Sequence, residues 1–291
     1  MDPDVNDESN IFTVTPMSQK ITLEPGFTYT GEIIVAIPVN AKRNFSYRVS
    51  VAPYNVIGED YYADLTNISK TSAIVDWITI DNPTGTLAPN ELAHVKFHIN
   101  VPSDAGGGGQ YAALMVGSDE QQMAGDGISV GNVFELASII YAEVEGEIIH
   151  EGEILENTIP EFSSVLPIRV AASVTNNGNI HETARVFVTV EDAWRSTQIY
   201  PAPGETNGVE EEIMPGTTRY ITRDIDGISP LGIYRVKQDV IYMGERDTTT
   251  QIVVACPVWF MVLMIVVLSS VIVGVVLAIR RHREKRKPIV V

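Results

Sequence analysis

Cysteine is almost missing from this chain: 291 residues hold one, Cys256. One cysteine excludes an intramolecular disulfide, which argues against a disulfide-stapled animal ectodomain. The same scarcity fits an exported bacterial surface protein, and it fits a cytosolic protein equally well. Basic residues are also few, 20 Lys and Arg against 37 Asp and Glu, for a net charge of −17. Such a surface repels phosphate, and no basic stripe interrupts it, so nucleic acid is excluded as a partner. The chain lacks H-E-x-x-H, a P-loop and the twelve-residue EF-hand pattern. A glycosidase needs two placed carboxylates, and nothing singles out a pair. No catalytic residue, cofactor or metal ligand is therefore assigned.

Charge is absent altogether from the 22 residues Val258–Ile279. At about 1.5 Å per helical residue that run is roughly 33 Å long, enough to cross a bilayer core. It stops at Arg280 and Arg281, which open a tail holding six Lys or Arg and one Glu. Taking that tail's +5 from the chain's −17 leaves about −22 for residues 1–279. Basic residues next to a span stay on the cytoplasmic side, so the acidic head is expected to face outward from a plasma membrane. Trp259 and Phe260 stand where interfacial aromatic anchors belong, and Pro257 suits a first helical turn. Met1-Asp2-Pro3-Asp4 is acidic, and no apolar signal-peptide core follows it. The outward reading then expects a signal peptide already removed.

The head reads as strands. Phe45, Tyr47, Val49 and Val51 alternate with polar or small residues. So do Val95, Phe97, Ile99 and Val101, and later Val186, Val188 and Val190. Period-two alternation broken by Pro, Gly and Asn marks half-buried antiparallel strands. No convincing amphipathic helix precedes residue 252. The fold class expected is all-β: two tandem immunoglobulin-like sandwiches, then one C-terminal transmembrane helix. Residues 1–10 are expected to be a flexible terminus, 11–149 the first sandwich, 150–162 a polar linker and 163–255 the second sandwich. Residues 258–279 form the span and 280–291 the cytoplasmic tail.

An order of elements repeats. Pro89-Asn90 leads into a strand and then to Gly109-Gln110-Tyr111; Pro215-Gly216 leads into a strand and then to Gly232-Ile233-Tyr234. Pro25-Gly26 is a third copy of the turn. Proline fixes φ and Gly or Asn permits positive φ, as a tight turn requires. Gly-x-Tyr entering a strand resembles a tyrosine corner, so Tyr111 and Tyr234 are expected to be equivalent structural residues.

The first sandwich carries an insertion, Gly117–Asn132, rich in Gly. Ser118, Gln121, Met123 and Asp126 are its candidate contact residues, because long sandwich loops often bind. A plain flexible hairpin is the alternative. His94 and His98 are expected on the solvent face of one strand, about 13 Å apart and too far for one ion. His181 is expected to cap its Asn-Gly-Asn turn. Acidic clusters such as Glu210–Glu212 are expected to be solvated surface, with calcium between sandwiches as the minor alternative.

Phe12–Pro16, the Leu-Glu-Pro-Gly turn at 23–26, Pro102-Ser103 and the Gly-rich run into Gly109-Gln110-Tyr111 resemble the first domain of bacterial WxL-interacting surface proteins. Val174–His181, with its N-x-G-N-x-H turn, resembles the opening of their second domain. The terminal span and basic tail match their layout. The resemblance implies two immunoglobulin-like domains, the first linked to peptidoglycan and the second to host proteins.

The sequence thus predicts a non-catalytic, single-pass surface protein. Its partners would be membrane lipid, through one helix, and a cell-wall polymer or surface protein. Oligomeric state stays open. Two rivals remain: a tail-anchored cytosolic adaptor with a sandwich head, and a membrane-tethered hydrolase.

Overall fold

A computed structural model of the chain describes residues 12–41, 44–118, 135–202 and 204–284. The chain divides into two compact units. The first comprises Met1–Glu153, Val174–Thr183 and Glu212–Arg219; the second comprises Ile154–Ser173, Ala184–Glu211 and Tyr220–Val291.

The first unit is built on two facing sheets. One runs in the order β1 (Thr13–Thr15), β3 (Thr28–Ala36), β9 (Leu92–Asn100), β7 (Ile78–Ile80). The other runs β2 (Ser18–Leu23), β11 (Glu135–Val144), β10 (Gly108–Ser118), β4 (Phe45–Pro53), β8 (Thr84–Leu87). The expected alternation is the reason the sheets face each other. Val95, Phe97 and Ile99 of β9 and Ile33 and Val35 of β3 point inward, onto Ala112, Leu114 and Val116 of β10 and Ile140 of β11. Fully burying one such side chain contributes about 1.5–3 kcal/mol. The small hairpin β5 (Asn55–Ile57) and β6 (Tyr62–Asp64) follows β4.

A 3₁₀ helix, Lys70–Trp77, lies among the strands, too short and too weakly amphipathic to be the kind of helix whose absence was expected. Ser69 caps it, accepting from the Thr71 amide, and Ile74 anchors it in the core. Eight residues offer too few turns for a period to show in the sequence.

The second unit holds a sheet in the order β12 (Gly152–Thr158), β14 (Ile168–Asn176), β18 (Thr217–Ile225). Facing it is β13 (Phe162–Ser163), β20 (Glu245–Ala255), β19 (Gly232–Tyr242), β15 (Glu182–Asp192), β16 (Thr197–Tyr200), with β17 (Val209–Ile213) also paired to β15. Ends of β14, β15, β17 and β18 count with the first unit. The core is Val- and Ile-rich: Val170, Val186, Val188, Val190, Ile221, Val236 and Val240 are all buried. Gln238 sits among them, fully buried, and its Nε2 donates to the Ala171 carbonyl at 2.9 Å.

The boundary stretch holds more regular structure than expected. The stretch 150–162 expected to be a linker is largely strand, because β12 fills Gly152–Thr158. It reads as polar since it is an edge strand with much of its surface exposed. Two residues separate β20 from the terminal helix, α1 (Val258–Glu284). The fold class is the expected one: β-sandwich architecture followed by one helix long and apolar enough to cross a membrane.

Candidate functional site

The three Pro-Gly or Pro-Asn turns share one geometry. Gly26, Asn90 and Gly216 all have positive φ, at 83°, 68° and 69°. In each turn the residue after donates its amide three residues back: Phe27 to Glu24, Glu91 to Ala88, Thr217 to Met214. That is the type II arrangement expected when proline precedes Gly or Asn.

The two Gly-x-Tyr motifs agree in one respect and differ in another. A Cβ on Gly109 would overlap the Tyr111 hydroxyl, and a Cβ on Gly232 would overlap that of Tyr234. Each tyrosine therefore folds back along its own strand over the bare glycine. Tyr234 lies on the core side of β19, and its hydroxyl donates to the Ser229 carbonyl at 2.7 Å. That is the corner expected. Tyr111 is not its equivalent. Ala112, Leu114 and Val116 face the core, so Tyr111 occupies the opposite face of β10.

What buries Tyr111 is a second cluster within the first unit. Across the strands, Tyr111 stands beside Tyr141 of β11, and Tyr141 beside Lys20 of β2. Tyr141 meets Tyr54 and Tyr111 edge-on, with ring centroids 6.1 and 5.9 Å apart. The ring of His181 completes the group, 5.6 Å from Tyr111 and 5.2 Å from Tyr141, with Nδ1 3.4 Å from the Tyr111 hydroxyl. His181 thus packs on tyrosines instead of capping its turn. Burial holds its imidazole below the usual histidine range and pushes the hydroxyls of Tyr111 and Tyr141 well up. Beside them, Glu212 accepts from Lys20 at 2.6 Å and from the Thr183 hydroxyl. Arg219 lies over the Tyr61 ring at 4.4 Å, and the Tyr61 hydroxyl meets Thr217 and the Met214 amide. The acidic run at 210–212 is accordingly not simple solvated surface: Glu210 also pairs with Arg185, at 2.7 Å.

The turn before His181 is tied down by its asparagines. Asn176 is buried, donating to the carbonyls of Ile180 and Ile213 while accepting from Gly178. Asn179 donates through Nδ2 to Gly107 and Glu147 and accepts from the Ile149 amide. Its backbone carbonyl takes the Gly109 amide at 2.7 Å. Gly178 has no room for a side chain, because the Ile149 carbonyl lies where a Cβ would sit.

Next to this knot the first unit has a cleft of about 490 Å³. Lys70, Trp77 and Gln110 line it, with Gly106–Gly109, Asn179 and Pro215. A smaller hollow of about 270 Å³ shares Thr71 and Pro215 and adds Asn55, Asp64, Asn67 and Ser69. Asp64 is held at about 2 by the Asn67 amide and the Thr66 hydroxyl, which bond its carboxylate. The combined lining is one indole, one ammonium, one carboxylate, several amides and hydroxyls, and open glycine backbone.

Other expected residues fall as follows. Ser118 ends β10, opposite Tyr47, and Gly117 pairs with Arg48 and Glu135, so the expected insertion starts inside a strand. Gln121, Met123 and Asp126 lie outside the described residues. His94 lies against Glu32, and His98 between Thr30 and Asp81. Among the described residues no three His, Cys, Asp or Glu side chains gather as a metal site. Trp259 packs edge-on to Phe260, and Arg280 and Arg281 lie in the last turns of α1.

Trp77, Lys70 and Tyr141 carry no motif in the sequence that marks them. The one available hint was the concentration of aromatics: Tyr54, Tyr61 and Tyr62 fall within nine residues.

No family model matches the chain, and no curated protein matches it. Solved structures do match. The class 5 fimbriae chaperone CfaA is 12% identical over 84% of this chain and 99% of its own, with a TM-score of 0.39. The CsuC–CsuE chaperone–tip adhesion subunit pre-assembly complex from Csu pili of Acinetobacter baumannii gives 11% identity over 83% and 98%, with a TM-score of 0.39. The E. coli chaperone DraB gives 9% identity over 84% and 97%, with a TM-score of 0.36. At such identities and scores none of these bears on a ligand or activity of this chain, whose sandwich fold is read from its own sheets.

Proposed function

We propose that this chain is a single-pass membrane protein displaying two β-sandwiches on the outer surface of a bacterial cell, for non-catalytic binding of a cell-wall polymer or a surface protein. The observation that carries the reading is α1. Its apolar side chains are roughly half exposed on all sides, from Leu263 through Ile279, and none of its most apolar window is buried by the rest of the chain. An apolar surface of that extent needs a lipid solvent. The basic tail supports an outward head. The resemblance to WxL-interacting proteins supports the same layout.

The contact surface on this reading is the cleft beside the 3₁₀ helix, together with the insertion 117–132. Strands spend alternate residues on the core, so chemistry free for a partner concentrates in loops and clefts. Binding follows the lining: amides and hydroxyls for a polymer backbone, the Trp77 ring for an apolar face, Lys70 for a carboxylate.

Two measurements test this. The full chain should stay in the membrane fraction after alkaline carbonate, while a chain ending at Ala255 should be released. Replacing Ser118–Gly131 by a short Gly-Ser turn, or Lys70 and Thr71 by Glu, should keep folding and weaken capture of wall fragments or surface protein by cells carrying the chain. Release of the full chain by carbonate, or unchanged capture by both variants, would contradict the reading.

A further inference from the structure

The end of the second unit from which α1 departs carries large apolar side chains that are exposed among the described residues. Strand register places them there. Gly232 of β19 stands opposite Ala255, the last residue of β20, so Leu231 lies at the root of the helix. Asp192 of β15 stands opposite Tyr234, which brings the β15–β16 turn, Ala193–Ser196, to the same end. The Ala193 amide is bonded to the Ile233 carbonyl at 3.0 Å. β13 runs parallel to the last residues of β20, Phe162 beside Val254, and the Cys256 amide donates to Ser163. Phe162, Val165, Trp194, Leu231 and Val254 are all exposed there, Trp194 by 83% and Val165 by 68%.

Trp194 is held outward by its turn. Asp192 Oδ1 accepts both the Trp194 and Arg195 amides at 2.9 Å, and the Ser196 amide returns to the Asp192 carbonyl. The charged side chains in this turn are Asp192, whose carboxylate holds it, and Arg195. A tryptophan at the tip of a tight turn, at the same end of the sheet as other exposed apolar side chains, suits the boundary between headgroups and acyl chains, where an amphipathic indole gains from both sides.

Distance selects the partner. Only Cys256 and Pro257 separate Ala255 from the first helical residue. Three residue steps reach at most about 10 Å. Headgroup layers add roughly 5–8 Å on each side of the acyl core. A sandwich on so short a tether has almost no room to stand clear of the headgroups. We propose that this rim, led by Trp194 with Val165, Phe162 and Leu231, is a membrane-contacting surface that seats the second sandwich on the bilayer its own helix crosses. The proposal rests on α1 spanning the membrane, as read above.

The test uses full-length chain in phosphatidylcholine vesicles with brominated acyl chains, which quench nearby indoles. The contribution of Trp194 is the difference between Trp259→Phe and the double variant Trp194→Phe/Trp259→Phe. That of Trp259 is the difference between Trp194→Phe and the same double variant. Trp77 is left in place, so the first unit's fold is untouched. The expected result is a blue-shifted Trp194 component that brominated lipid quenches, as for an interfacial indole. A quenched Trp259 with an unquenched, water-like Trp194 would overturn the proposal and leave the span intact. An unquenched Trp194 with a blue-shifted emission that returns to the water-like value on dilution of protein in lipid would overturn it in favour of a second copy covering the rim. Neither residue quenched would overturn the spanning reading and the proposal together.

Discussion

Gly109-Gln110-Tyr111 and Gly232-Ile233-Tyr234 open two long strands with the same pattern, and the two tyrosines end on opposite sides of their sheets. Tyr234 faces its core and closes a corner onto Ser229. Tyr111 turns away from its core and is buried by Tyr141 and His181. The shared part is local: a bare glycine two residues back gives the tyrosine ring a place to lie. The difference is not local. It depends on which parity of the strand faces the opposing sheet, and a side-chain period of two makes that a matter of one residue. A motif can therefore fix a rotamer and say nothing about the face it is used on.

The shared part should give the largest effect when broken. Gly109→Ala and Gly232→Ala each push a methyl into a tyrosine hydroxyl, and each is expected to cost about 1–3 kcal/mol, the range for overpacking a filled site. Thermal unfolding of the full chain in detergent reads this. A large loss at one glycine and none at the other would show that the two motifs are not built alike.

The difference should appear in the hydroxyls. Tyr234→Phe removes a 2.7 Å bond to a carbonyl and is expected to cost about 1 kcal/mol or somewhat more. Tyr111→Phe removes a 3.4 Å contact with His181 Nδ1 and a hydrogen bond to the His181 backbone, and is expected to cost less, about 0.5 kcal/mol. Equal losses would restore the equivalence that the sequence suggests.

A smaller effect should follow pH, and only on the Tyr111 side. Burial holds His181 below the ordinary histidine value of about 6.5. Between its native pKa and about 6.5 the folded chain binds fewer protons than the unfolded chain, so stability rises with pH through that window. The contribution is complete above about 6.5 and is lost as pH falls through the native pKa. His181→Phe should flatten this part of the stability profile, measured by denaturant titration between pH 5 and 8. An unchanged slope would mean the ring is not held neutral.

Much of the fold was legible in the residues, for reasons the structure makes plain. Val95, Phe97 and Ile99 alternate because one face of β9 meets the core and the other meets water. The X-Pro-Gly and X-Pro-Asn turns declare themselves because so few residues tolerate positive φ. The 3₁₀ helix Lys70–Trp77 was hidden by its length, and β12 by the polarity an edge strand can carry. The aromatic cluster was hidden by distance along the chain. Tyr54, Tyr111, Tyr141 and His181 meet only after the strands have paired, and no periodicity announces that. The cleft is less legible still, since its glycines serve close packing as well: a Cβ on Gly107 would strike the backbone of Gly146 and Glu147.

The central claim is that the acidic head faces outward on a helix whose basic end stays inside. Site-directed labelling tests it most directly. With Cys256 changed to Ser, a single cysteine is placed either at Asp60, exposed in the turn before β6, or at Lys287 in the tail, and intact cells are treated with a membrane-impermeant maleimide. The account predicts that Asp60→Cys labels in intact cells and that Lys287→Cys labels only after permeabilisation. Labelling of Lys287→Cys in intact cells, with Asp60→Cys protected until the membrane is opened, would contradict it.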